Sequence, residues 1–113
     1  MTSNTPPVET PWFVYILLCS NGAYYTGIAR NPAKRLEEHR KGVGGAKYTR
    51  SFAPRRIEAC WSVSGGRGEA LKVEHYIKKS GRKTKEEFIK KPGRLARMVQ
   101  SELGIRIRKM QVR

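Results

Sequence analysis

The stretch Val14-Tyr15-Ile16-Leu17-Leu18-Cys19-Ser20-Asn21-Gly22-Ala23-Tyr24-Tyr25-Thr26-Gly27 decides the fold. An apolar run over residues 12–19 meets a Ser-Asn-Gly turn signal. A second strand-like run over residues 24–29 follows, so the pattern is that of a β-hairpin. Asn31 is a good N-cap and Pro32 suits a first helical turn, which predicts a helix over residues 32–41. That helix carries Arg35 and His39 four apart, hence on one face. Two tyrosines, Tyr15 and Tyr25, together with an arginine and a histidine point to phosphodiester chemistry more than to packing. Taken singly, each residue has a plainer reading. The tyrosines fit half-buried strand positions, and Arg35 and His39 fit a solvated helix surface.

The chain's charge agrees with the chemical reading. Its 113 residues leave room for one domain with a modest core. They include 24 Lys and Arg against nine acidic residues, a formal net charge of +15. Such a surplus repels itself in a compact fold and calls for an anionic partner. Nucleic acid is the expected one, ahead of an anionic membrane surface. No run approaches the roughly 18 apolar residues of a membrane span. The N-terminus is polar and proline-rich rather than a signal peptide. Cys19 and Cys60 sit in strand-like apolar runs and read as buried thiols, without zinc-site spacing. The expectation is a cytoplasmic protein with no membrane association.

All nine acidic residues are glutamate. Nucleases that bind two metal ions cluster their carboxylates. Here only Glu37-Glu38 and Glu86-Glu87 are adjacent, and both pairs look like solvated helix positions. A nuclease with this composition is expected to use few carboxylates and one metal ion.

The remaining elements follow in order. Residues 1–11 read as a flexible tail, residues 12–91 as the domain, and residues 92–113 as a basic C-terminal extension. Residues 42–52 form a Gly-rich basic loop with Lys47, Tyr48 and Arg50, either a connector or a contact to a nucleic-acid backbone. It is not a P-loop, which needs Gly-Lys-Ser/Thr opening a helix. A third strand spans residues 57–63 and a second helix residues 69–80. Thr84-Lys85-Glu86-Glu87 has the form of a capping box opening a third helix. Pro92-Gly93 interrupts it before a helical stretch over residues 95–103. The last segment alternates apolar and basic residues, either as a strand or as a frayed cationic tail.

On the second helix, Ala70, Val73 and Ile77 share a face at helical spacing, and Glu74 shares it with them. A carboxylate there is costly to bury unless it is paired or binds a cation. It either reaches solvent, pairs with an arginine, or holds a metal.

In combination these residues are much more specific. The chain resembles the GIY-YIG nuclease family, in particular its small stand-alone bacterial members, over roughly residues 12–91. Phe13-Val14-Tyr15 stands where the family has Gly-Ile-Tyr, and Tyr25-Thr26-Gly27 where it has Tyr-Ile-Gly. Arg35, His39 and Glu74 match the family's helix arginine, the histidine or tyrosine one turn later, and the metal-binding glutamate. The departures are Phe13 for glycine and Thr26 for isoleucine. The asparagine that many members carry after the glutamate helix is also missing, and Lys78 falls in that neighbourhood.

The resemblance implies an α+β fold, a small three-stranded antiparallel sheet flanked by helices. It implies an endonuclease that hydrolyses phosphodiester bonds, with DNA expected more than RNA and structured or damaged DNA as candidate substrates. One Mg2+ or Mn2+ on Glu74 would stabilise the leaving 3′ oxygen. Tyr15, Tyr25 or His39 would take the proton of the attacking water, and Arg35 would stabilise charge on the phosphate. Gly27 is the structural glycine of the motif. Lys34, Lys47, Tyr48, Arg50 and Lys78 are the expected nucleic-acid contacts. The alternatives are a basic nucleic-acid-binding module without catalysis, and a nuclease subunit whose protein partner selects the substrate.

Overall fold

The structure, a computed structural model, describes residues 11–41 and 52–112. The hairpin pattern becomes β1 (Trp12–Cys19) and β2 (Tyr24–Ala29). Between them the Gly22 N–H donates to the Cys19 carbonyl at 2.9 Å, and Gly22 takes φ 81°, the left-handed conformation that the turn requires. Asn21 Oδ1 accepts the Ala23 N–H at 3.1 Å and closes the turn from the side. Helix α1 (Pro32–Lys41) begins as its sequence dictates. Asn31 Oδ1 accepts the Lys34 N–H at 3.1 Å, satisfying one of the orphan donors of the first turn.

Next come β3 (Pro54–Val63), α2 (Arg67–Lys78), α3 (Arg82–Lys90), α4 (Pro92–Leu103) and β4 (Ile107–Met110). The sheet is antiparallel throughout, in the order β2-β1-β3-β4. The fold is thus α+β, as expected, with one strand more than the three anticipated. The alternating C-terminal segment is that strand. Ile105 and Ile107 turn into the core while Arg106 and Arg108 face water, and Val63 pairs with Ile107.

Strand β3 and the three helices after it differ in bounds from the sequence reading: α2 begins and ends two residues earlier than residues 69–80, and α4 begins at Pro92 rather than residue 95. Strand β3 begins three residues earlier than expected, because Pro54 pairs with Cys19 beyond a register shift and occupies the first strand position, where its missing N–H is tolerated. Helix α3 begins at Arg82, with Gly81 as N-cap, so Thr84 lies inside it. The capping-box glutamate works one helix earlier, where the Glu69 carboxylate accepts the Gly66 N–H at 2.9 Å at the start of α2. Pro92 does end α3, by taking the first turn of α4.

The period of two along β1 divides the molecule. Val14 and Ile16 face a large core that also holds Trp61, Val73, Ile77, Phe88, Leu95 and Val99, so α2, α3 and α4 cover that face. The Trp61 Nε1–H donates to the Pro92 carbonyl at 3.0 Å and ties α4 to the sheet. Tyr15 and Leu17 face the opposite side, with Ala29, Cys60 and Leu36 of α1. Cys19 and Cys60 are both buried free thiols, and burial pushes the Cys60 thiol up to about 12. Among the described residues no helix is long and apolar enough to cross a membrane.

Candidate active site

Tyr15 and Tyr25 reach the α1 side of the sheet from neighbouring strands. Tyr15 pairs across the hairpin with Gly27, and Tyr25 pairs with Leu17. This register sets Tyr15 against a glycine. A Cβ added at Gly27 would lie 2.6 Å from the Tyr15 hydroxyl oxygen and 2.9 Å from Cζ, so no larger residue leaves the phenol where it is. The motif glycine therefore makes the space in which the Tyr15 hydroxyl sits.

Helix α1 brings its polar side chains to that hydroxyl. His39 is fully buried, and its Nε2 lies 3.2 Å from Tyr15 Oη. The Tyr25 ring meets the His39 imidazole edge-on, with centroids 5.0 Å apart. Arg35, one turn before His39, hydrogen-bonds to Tyr15. A guanidinium can only donate. The Tyr15 oxygen thus accepts from Arg35, and the Tyr15 hydroxyl shares a hydrogen bond with His39 Nε2 in which the imidazole tautomer sets the donor. Burial first, and then the Arg35 charge, lower the His39 pKa from its ordinary value, which favours the neutral ring.

The electrostatics of the tyrosines identify their neighbours. Burial raises the Tyr15 pKa well above its ordinary value; Tyr25 raises it further, Arg35 lowers it, and Glu74 raises it. Tyr25 is raised mainly by burial, with Arg35 opposing and Glu74 adding. Glu74 therefore lies within electrostatic reach of both phenols, although its helix α2 packs on the other face of the sheet. It does so from a position 18% exposed, with the Lys78 ammonium 3.7 Å from Oε1.

Tyr15, Tyr25, Arg35, His39 and Glu74 thus form one neighbourhood. Tyr15 and His39 make its buried floor, while Tyr25, Arg35 and Glu74 are only partly covered. Lys78 stands beside Glu74. Lys34 is exposed in the first turn of α1, and its backbone N–H rather than its ammonium is engaged, by Asn31. Lys47, Tyr48 and Arg50 lie outside the described residues.

One participant escapes a sequence reading. Glu38 reads as a solvated helix position, but its Oε1 accepts from Arg35 Nη1 at 3.1 Å. The signal for it was the three-residue spacing from Arg35, which puts both on one helix face.

The donor set suits a hard cation held by one carboxylate. Among the described residues no three His, Cys, Asp or Glu side chains group to hold a metal. A lone glutamate near a phosphate site is compatible with magnesium, which keeps most of its water and takes one or two carboxylates plus substrate phosphate.

The GIY-YIG catalytic domain matches residues 11–87. The chain belongs to the GIY-YIG family. Its relatives are bacterial UPF0213 proteins. One from Vibrio cholerae is 39% identical over 88 residues, covering 76% of this chain and 84% of the relative. One from Fusobacterium nucleatum is 36% identical over 99 residues, 88% of this chain and 97% of the relative. One from Neisseria gonorrhoeae is 49% identical over 70 residues, 60% and 72% of the two chains. No solved structure matches the chain. The GIY-YIG catalytic domain implies a nuclease, hence a nucleic-acid substrate and a divalent metal.

Proposed function

We infer that this GIY-YIG protein is a metal-dependent endonuclease that hydrolyses phosphodiester bonds in DNA. The observation that carries the reading is the Tyr15 hydroxyl, bound by a cation on one side and by a neutral imidazole 3.2 Å away on the other. A core tyrosine needs neither partner. A phenol that must take a proton from water profits from both.

The chemistry then runs through the chain's own groups. The Tyr15 oxygen takes the proton of the attacking water as its own proton passes to His39 Nε2, so no bare phenolate forms in a site that disfavours one. His39 is fully buried and acts through Tyr15 rather than on the water. Tyr25, at the edge of the His39 ring, lines the approach of the water. Arg35 faces the phosphate and stabilises its developing charge. Glu74 would hold one Mg2+ or Mn2+, which supplies Lewis-acid stabilisation of the leaving 3′ oxygen.

The basic surface holds the substrate. Residues 30–56 carry nine basic against two acidic side chains, and residues 67–113 carry fifteen against five. Lys34 and Lys78 flank the neighbourhood described above, and Lys47, Tyr48 and Arg50 are proposed to grip the backbone beside it.

The test is cleavage of labelled branched, single-stranded and duplex DNA, with RNA counterparts, in magnesium or manganese. Parent protein should cut DNA only with metal, and Glu74→Gln should cut nothing while still binding DNA in metal-free buffer. Parent protein that cuts nothing on the whole panel overturns the nuclease reading in favour of a basic binding module. Equal cutting by Glu74→Gln overturns the metal assignment alone.

A further inference from the structure

We propose that Glu38 is a positioning residue that holds the Arg35 guanidinium beside the Tyr15 hydroxyl.

Two consecutive glutamates on α1 do different things. Glu37 turns outward and accepts from Arg40 Nη1 at 2.7 Å, between two well-exposed side chains. Glu38 turns the other way and accepts from Arg35 Nη1 at 3.1 Å. Their spacing explains the choice. Arg35, Glu38 and His39 are at i, i+3 and i+4, so one helix face presents all three to the sheet. Glu38 therefore completes a hydrogen-bonded chain from Glu38 to Arg35, to the Tyr15 hydroxyl and to His39 Nε2.

A stabilising role does not account for this pair. The two side chains are 24% and 36% exposed, and ion pairs that open to water contribute little to folding. Orientation does account for it. An arginine at the rim of a site has many rotamers, and a carboxylate on one edge of its planar fork selects one. The contact with Glu38 keeps the guanidinium on the face of α1 that meets Tyr15 and His39. The titratable groups facing Arg35 are Glu38 and His39 on its own helix and the phenols of Tyr15 and Tyr25 on the hairpin. Burial works against the Arg35 charge, but Glu38 and Tyr15 together outweigh it, so the Arg35 pKa is raised.

The kinetic consequence rests on the nuclease reading, but the positioning itself does not. Both are tested with Glu38→Ala and Glu38→Gln in the full chain. The first readout is the mobility of the Arg35 side chain, from the heteronuclear NOE of its Nε–H, with exposed Arg97 as reference. Arg35 should be ordered in the parent, become as mobile as Arg97 in Glu38→Ala, and be largely restored in Glu38→Gln, whose amide oxygen still accepts. The second readout is cleavage. Glu38→Ala should lower kcat between about 10-fold and about 100-fold, as misplaced catalytic groups do, with KM for DNA nearly unchanged. Glu38→Gln should recover most of that loss. Melting temperatures should barely move. Arg35 equally ordered in Glu38→Ala, or kcat unchanged in it, overturns the proposal. If parent protein cuts no substrate, the nuclease reading fails and the Arg35 mobility decides the positioning alone.

Discussion

The hydroxyl of Tyr15 occupies the volume that a side chain at Gly27 would fill. A Cβ there would stand 2.6 Å from the oxygen, across a strand pairing that sets the two residues opposite one another. Tyr15 is only 2% exposed, and its ring cannot step aside without disturbing Leu17, Ala29 and Cys60 around it. Gly27→Ala should therefore push the phenol off His39 Nε2. The expected cost is about 1–3 kcal/mol of stability from overpacking. Cleavage should fall by on the order of 10²-fold, as for a displaced catalytic group. Thermal melts and single-turnover cleavage measure the two effects. Full activity in Gly27→Ala would mean that the Tyr15 position is irrelevant to catalysis.

The buried imidazole makes stability depend on pH in a definite direction. In the unfolded chain a histidine takes up its proton near 6.5. In the fold, burial and then the Arg35 charge hold His39 neutral to lower pH. Between these two values the unfolded chain binds one more proton, so stability present above about pH 6.5 is lost as the pH falls. The slope from one such proton is about 1.4 kcal/mol per pH unit. Urea midpoints between pH 8 and 5 should show this slope in the parent and lack it in His39→Gln. Parallel curves for the two proteins would show that His39 is not held neutral.

Arg35 and the surface lysines should separate in their effects. In the proposed mechanism Arg35 stabilises the reacting phosphate, so Arg35→Ala should cost about 2.7–4 kcal/mol of transition-state stabilisation. Its effect on DNA affinity should be small. Affinity instead comes from the many basic side chains and should drop steeply with salt. Log Kd should change by about 0.9 for each tenfold change in salt, per phosphate neutralised. Filter binding from 50 to 200 mM salt, in metal-free buffer, checks this. A flat salt response would contradict backbone-driven binding.

The C-terminal residues should prove indispensable. Residues 92–113 lie beyond the matched family domain. Yet Leu95, Val99, Ile105 and Ile107 share the main core with Val14 and Trp61. A chain ending at Lys91 loses those side chains, strand β4 and the acceptor of the Trp61 indole. Each large buried aliphatic removed is worth about 2–5 kcal/mol, so the truncated chain should fail to fold. Circular dichroism during thermal melting would reveal it. A cooperative transition in the truncated chain would show that the core closes without α4.

Local order was legible in the sequence wherever the cause is local. The bounds of β1, β2 and α1 follow from a turn signal, an N-cap and a proline, each acting on residues within one turn of itself. The tyrosine pair was legible for the same reason, since a short hairpin fixes which residues share a face. The start of α3 differs because the capping-box pattern at Thr84-Lys85-Glu86-Glu87 is purely local, whereas the helix takes Gly81, three residues earlier, as its N-cap in a chain already turning out of α2. The C-terminal strand stayed ambiguous, because a four-residue strand at a sheet edge forms only when β3 offers it a ladder. Family resemblance linked Glu74 to the tyrosines, but its spacing on α2 left it equally able to reach solvent. Its approach to the phenols from the far side of the sheet is a matter of helix packing. The burial of His39 and the inward turn of Glu38 were likewise settled by tertiary structure. Both residues sit on a short, highly charged helix that sequence alone assigns to solvent. The sheet and the Arg35 guanidinium draw them in, through contacts between residues 24 positions apart for Tyr15 and His39.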